Sequence, residues 1–170
     1  MDGILWAASA MEAARSRLDI ATNNLANVSS DGFHKALARG RLTAHGVEIE
    51  RVDDAKHGAY RHTGRSDDLA IIGAGAFRVR NADGSVAQTR NGAFERDRNG
   101  VLRDARGRAY LGTTPGAVVR SGFLEASNVD AVGEMVDVLT AQRSFESAEK
   151  VVAAIDGARQ KSSDDVARIK

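Results

Sequence analysis

Matching apolar stripes at its two ends constrain this chain more than any other feature. Near the N-terminus Ile4, Met11, Leu18 and Leu25 recur every seven residues, and Ala7, Ala14, Ala21 and Val28 fill the three-residue offset. Near the C-terminus Val138, Ala141, Phe145, Ala148, Val152 and Ile155 alternate spacings of three and four. Both patterns are narrow seams, typical of helices that wind against other helices, and differ from the wide stripe of a helix lying on a globular core. Ordering such a helix costs roughly 1–2 kcal/mol per residue in backbone entropy. The seams return little, because they bury mostly Ala plus a few larger side chains worth about 1.5–3 kcal/mol each. A lone helix of this kind is marginal in water. The ends are therefore expected to order fully only against each other or against neighbouring copies, in a chain built to assemble.

Between the seams the pattern changes. The first helix is expected over Gly3 to Val28, stopping at Ser29-Ser30-Asp31-Gly32, where Gly32 supplies the left-handed residue that many helix C-termini need. Residues 34–64 read as loop plus extended chain, with a short strand around Val47, Ile49 and Val52. From Asp68 to Phe123 the period becomes two, with turns at Asn81-Ala82-Asp83-Gly84, Asn91-Gly92, Arg98-Asn99-Gly100 and Asp104-Ala105-Arg106-Gly107. Turns at such short spacing predict a small antiparallel sheet or barrel. Pro115 marks a loop over Gly112 to Gly116. The last helix is expected to begin at Asn128 to Asp130, either of which suits an N-cap, with Glu134 near the positive end of the dipole, and to run to about Arg159.

The fold class is thus α+β: long N- and C-terminal helices packed as a coiled coil, with a small antiparallel β domain inserted between them. The expected division is an N-terminal assembly helix over 1–33, an extended linker over 34–67, the β domain over 68–123 and a C-terminal assembly helix over 124–170.

Composition excludes several functions. A net charge of +1 provides no field to attract nucleic acid or an anionic membrane. Without cysteine there is no disulfide framework, thiolate–zinc site or thiol catalysis. No run approaches the ~20 apolar residues of a membrane span, so no direct membrane insertion is expected. Ala8-Ser9-Ala10 mimics a signal-peptidase site. However, Asp2 replaces the basic leader, Ser9 and Glu12 interrupt the apolar block, and these residues share the register of Leu18 and Leu25. No cleaved signal is expected.

Gly73-Ala74-Gly75-Ala76-Phe77-Arg78 begins like a dinucleotide fingerprint, but Arg78 and the following strands fit a tight turn instead. His34, His45, His57 and His62 lie in irregular sequence. His57 and His62 lack the i,i+4 helical spacing of zincins, and no nearby carboxylate completes a metal site. No nucleophile motif or phosphate loop is present. The chain is therefore expected to be no enzyme and to need no cofactor or metal. Asn23, Asn24 and Asn27 fit either helix C-terminal capping and solvation or inter-subunit hydrogen bonds that fix register at tight helix contacts. Gln142, Arg143 and Glu146 fit either solvation or an inter-helix polar network, with Glu146 and Lys150 at the favourable i,i+4 spacing.

Three blocks resemble the flagellar rod and hook family of bacterial axial proteins. The first is ATNNLANVSSDGFHK, Ala21 to Lys35, an Asn-rich helix end leading through a turn into Gly-Phe. The second runs from Asp68 to Gly112 and carries a G-x-G-x-F and a T-R-x-G-x-F. The third, Gly122 to Asp156, carries Leu-Glu, Ser-Asn-Val, Glu-Met and Gln-Arg-x-Phe-Glu. Together they cover over half the chain in the family's order, and the β block is most similar to proximal and distal rod proteins.

The resemblance implies a non-enzymatic subunit of the basal-body rod that spans the periplasm. It would polymerise through its terminal helices with itself and with other axial proteins, and would be exported by the flagellar type III apparatus without a cleaved signal. Similar proteins carry a longer middle between the positions of Leu111 and Gly122, so a smaller outer domain is expected here. The candidate assembly residues are Ile4, Met11, Leu18, Asn23, Asn24, Leu25, Asn27 and Val28 at one end. At the other they are Asn128, Val129, Met135, Val138, Gln142, Arg143, Phe145, Val152 and Ile155. The alternative is a secreted β-domain binding module whose helices form a small closed oligomer.

Overall fold

The computed structural model describes residues 3–44 and 46–168, with side chains through 162; His45, one of the histidines weighed above, lies outside the described residues. Helix α1 (Gly3–Ala26) comes first and helix α2 (Ala131–Arg168) last. Between them lie β1 (Ala36–Thr43), β2 (Gly46–Asp53), β3 (Tyr60–His62), β4 (Leu69–Ile72), β5 (Phe77–Arg80) and β6 (Val86–Thr89). They are followed by β7 (Phe94–Arg96), β8 (Leu102–Asp104), β9 (Ala109–Thr113), β10 (Val118–Ser121) and β11 (Phe123–Glu125). The architecture is α+β, two terminal helices flanking a small antiparallel β domain.

The chain forms two compact units. One holds α1 through Leu25, the β1–β2 hairpin and α2; the other holds Ala26–Lys35 and Asp54–Asp130. Within the helical unit α1 and α2 run antiparallel. At one end a Cβ on Gly3 would lie 3.3 Å from Ile155 Cδ1. At the other, Asn24 Nδ2 donates to Glu134 Oε2 at 3.0 Å.

Two sequence expectations change here. Residues 36–53, read as loop plus a short strand, form a regular hairpin with pairing from Ala36↔Asp53 to Thr43↔Gly46. Most of its residues are exposed or half-buried on both faces, so the period-two apolar signal that betrays a strand is weak. Helix α2 continues past Arg159 to Arg168. Gly157 falls just before Arg159, and one glycine costs about 1 kcal/mol, too little to end a helix.

The β unit contains a five-stranded antiparallel sheet in the order β6-β5-β9-β8-β7, with two-stranded ladders β10–β4 and β11–β3. Strand β9 extends to Thr113, into the span read as a loop, and pairs with β5 across a bulge at Arg78/Val79. Ile71, Phe77, Val79 and Phe94 are fully buried, with Leu69, Leu102 and Tyr110 packed around them. Phe77 and Phe94 meet edge-to-face at 5.4 Å between centroids, the favoured arrangement of two ring quadrupoles. Burial raises the Tyr110 phenol above its ordinary range.

Short turns close the sheet, each pinned by its aspartate. Asp97 accepts from the Arg103 side chain and from the backbone of Val101 and Asn99, and these bonds hold its carboxyl below the usual range. Gly92 in Asn91-Gly92 has a different duty. A Cβ there would collide with the Leu69 carbonyl, while the Gly92 carbonyl accepts the Leu69 N–H at 3.0 Å. Only glycine lets the backbone approach β4 this closely.

Candidate functional site

The seam residues occupy the inward faces of both helices. On α1, Ala7, Ala14 and Ala21 are buried and Ile4, Met11, Leu18 and Leu25 half-buried. On α2, Glu134, Ala141 and Ala148 are buried and Val138, Phe145, Val152 and Ile155 half-buried. The seven-residue repeat therefore marks the burial pattern, yet alanines take the fully buried places and the larger side chains keep part of their surface open. A groove of about 650 Å³ remains between the helices, lined in part by Trp6, Ala10, Thr140, Ser147 and Val151.

Helix α2 carries a second apolar row. Val132, Met135, Val136 and Leu139 are 70%, 52%, 55% and 55% exposed. At 3.6 residues per turn they centre on the face opposite Ala141 and Ala148. Of these four, only Met135 stood among the candidates. The row was missed because the inward seam dominates the periodicity. Leu5 on α1, 64% exposed, is a further open apolar side chain. Gln142 and Arg143 are exposed on α2.

The asparagines divide. Asn24 is buried, with its Nδ2 donating to the Ala36 carbonyl at 2.8 Å and its Oδ1 accepting the Ala36 N–H at 2.8 Å. The second Nδ2 hydrogen goes to Glu134, so both amide donors are spent inside the chain, tying α1 to β1 and α2. Asn23 is exposed and accepts from Arg51 Nη2 at 3.3 Å. The carbonyl and side chain of Asn27 both bond Ser30 in the turn that ends α1. Within the β unit, Asn128 Oδ1 accepts the Lys35 N–H at 2.7 Å and Nδ2 donates to the Lys56 carbonyl at 2.8 Å. The neighbouring Val129 N–H donates to Ser127 Oγ, and Val28 and Val129 are half-buried. Helix α2 starts at Ala131, which leaves Asp130 rather than Asn128 at the N-cap position.

A polar centre in the β unit was not foreseen. Glu125, its side chain fully buried, accepts the Arg90 Nε–H on Oε2 at 2.8 Å, and Arg90 Nη2 lies 2.6 Å from the same oxygen as an ion pair. Arg90 also donates from Nη1 to the carbonyls of Gly73 and Gly75, and from Nη2 to that of Ile71, each at 2.9 Å. Four guanidinium hydrogens are thus spent in hydrogen bonds, and the ion pair with Glu125 adds to them. This explains the Gly73-Ala74-Gly75 turn: its carbonyls converge on a cation. The other carboxylate oxygen, Oε1, accepts the Gly58 N–H at 3.2 Å and faces His34 Nε2 at 2.9 Å and His57 Nδ1 at 3.7 Å. His34 and His57 were set aside for lack of a carboxylate; the fold supplies one from 91 residues away. The signal available in the sequence was a lone Arg and a lone Glu, each embedded in short Gly- or Leu-containing motifs.

Comparison with known proteins follows the same division of the chain. Residues 4–34 match the family described as flagella basal body rod protein, and residues 70–137 match the flagellar hook protein FlgE/F/G D1 domain. Residues 120–164 match the flagellar basal body rod FlgEFG protein C-terminal family. The flagellar basal-body rod protein FlgG of Agrobacterium fabrum is 24% identical over 92% of this chain and 96% of its own length. That alignment runs over 251 positions against a chain of 170 residues, so the relative carries segments that this chain lacks. The flagellar hook protein FlgE of Salmonella typhimurium is 34% identical over 62% of this chain and 28% of its own length. The FlgE of Brucella abortus is 31% identical over 80% of this chain and 37% of its own. The chain thus spans well under half of the hook proteins it matches. Matched helix, β segment and helix, in that order, place this chain in the flagellar basal-body rod and hook family of axial proteins.

Proposed function

We propose that this chain is a structural subunit of the flagellar basal-body rod, polymerising through its terminal helices into the axial drive shaft. The observation that carries the reading is the second apolar row on α2, Val132, Met135, Val136 and Leu139, opposite a face already used by α1. A helix with apolar residues on two opposed faces has more to bury than one partner can cover. In this reading the helices pack as a coiled coil, and copies of α1 and α2 from neighbouring subunits cover the outer row and fill the inter-helix groove. Repetition of one head-to-tail contact produces an open helical filament. The sheet brings its own core.

The partners are other copies of this chain and other axial proteins, with delivery by the flagellar type III export apparatus and no cleaved signal. The rod crosses the periplasm, and the chain performs no catalysis. No helix among the described residues is long and apolar enough to cross a membrane.

Amide exchange separates the helices from the sheet. In the dilute purified chain, amides of α1 and of α2 exchange faster than those of β5 and β9 by at least about a hundredfold, because helix opening needs only local free energy. In the polymer both helices become protected. Uniformly slow exchange in both termini of the dilute chain would refute the proposal that neighbours order them.

A further inference from the structure

We propose that His34, His57 and Glu125 form a binding site for one divalent transition-metal ion of the zinc class in the β unit. One ligand atom from each residue lies within 4.8 Å of the others. Two imidazoles and a carboxylate, with a fourth position left for water, are a common zinc donor set. His34 Nε2 and His57 Nδ1 both face Glu125 Oε1, at 2.9 and 3.7 Å, and the two rings stand edge-to-face with centroids 5.8 Å apart. Ligand atoms around a tetrahedral zinc ion are separated by roughly 3.5 Å. Small side-chain rotations would therefore close the shell.

The hydrogen bonds around His34 leave one ring nitrogen available to a metal ion. His34 Nδ1 lies 3.2 Å from the Asp54 carbonyl, and Nε2 lies 2.9 Å from a carboxylate oxygen. Both neighbours only accept. A neutral ring carries one N–H, so one of its nitrogens would turn a lone pair on an oxygen. Oε1 already takes the Gly58 N–H at 3.2 Å, and a metal ion between Nε2 and Oε1 would turn that ring lone pair into a ligand. The Asp54 carbonyl fixes Nδ1 as the donor and leaves Nε2 to ligate, the usual outer-shell arrangement of metal-bound histidine. Arg90 holds the other carboxylate oxygen and so sets the orientation of Oε1. The His57 side chain is 37% exposed and provides a path for entry and room for water, while Glu125 is fully buried.

The ion would join the segment before β1, the loop after β2 and strand β11. This inference does not depend on polymerisation. The test uses the full chain, free of tags and stripped of metal, titrated with cobalt(II) and with zinc(II). One ion per chain is expected, with cobalt d–d bands of a four- or five-coordinate site and a raised melting temperature in zinc. His57→Gln should weaken zinc binding by at least about tenfold, with an unchanged far-UV spectrum as evidence of folding. His62→Gln should leave binding as it was. Absence of cobalt bands and of zinc binding in the parent chain would overturn the proposal. So would unchanged affinity in a folded His57→Gln variant, since the ion would then sit elsewhere.

Discussion

Leu18→Asp should leave the sheet folded and abolish incorporation of the chain into basal bodies, with loss of motility. Leu18 lies on the inward seam of α1 between the buried Ala14 and Ala21, and is itself only half-buried in the single chain. Assembly would cover the rest. Full burial of a leucine is worth about 1.5–3 kcal/mol, and the substitution also places a carboxylate in an apolar seam at a further cost in desolvation. Each 1.4 kcal/mol is a tenfold change in association, so one contact weakens by roughly tenfold to a hundredfold or more. A polymer repeats the defect at every subunit. The core around Phe77 and Phe94 lies in the other unit and should keep its melting transition. Complementation of a strain lacking the chain provides the readout. Normal swimming with Leu18→Asp would sink the seam hypothesis.

The second large effect concerns Arg90. Arg90→Ala should destabilise the β unit by about 3–5 kcal/mol, the cost of leaving a buried charge without its partner. Glu125 would lose a charged hydrogen bond and its ion-pair partner, and the carbonyls of Ile71, Gly73 and Gly75 would lose their donor. For a unit of this size the melting temperature should fall by at least about 12 °C. Arg90→Lys should recover only part of the loss, because an ammonium offers three hydrogens from one point where the guanidinium spreads five over a plane. Adding Glu125→Gln to Arg90→Ala should also restore part of it, since no uncompensated charge would remain. A melting temperature unchanged in Arg90→Ala would show that the centre contributes nothing to stability.

Sequence patterning made some of this architecture legible. The seven-residue spacing of α1 found the buried face because a helix turns that period into one stripe. Period two with Asx-Gly turns found β4 to β9 because each turn carries its own backbone chemistry in adjacent residues. The β1–β2 hairpin was only glimpsed, since strands held by mutual pairing and exposed on both faces leave no apolar rhythm. The Arg90–Glu125 centre, with His34 and His57, was invisible for another reason. Its members come from four separate segments, and only the completed fold makes them neighbours. Asn24 stood out in the sequence as an inter-subunit hydrogen-bonding residue or a cap, whereas the bonds it makes here run within the chain to Ala36 and Glu134.

The central claim, that this chain is a building block of the rod, is tested most directly by its presence in the finished structure. Hook–basal bodies should be purified from cells carrying the chain at native level and its copies counted by quantitative mass spectrometry. The account predicts several copies per particle, retained through detergent and salt washes that strip peripheral proteins. A chain absent from washed particles, and recovered instead as a closed dimer or trimer in the soluble fraction, would contradict it.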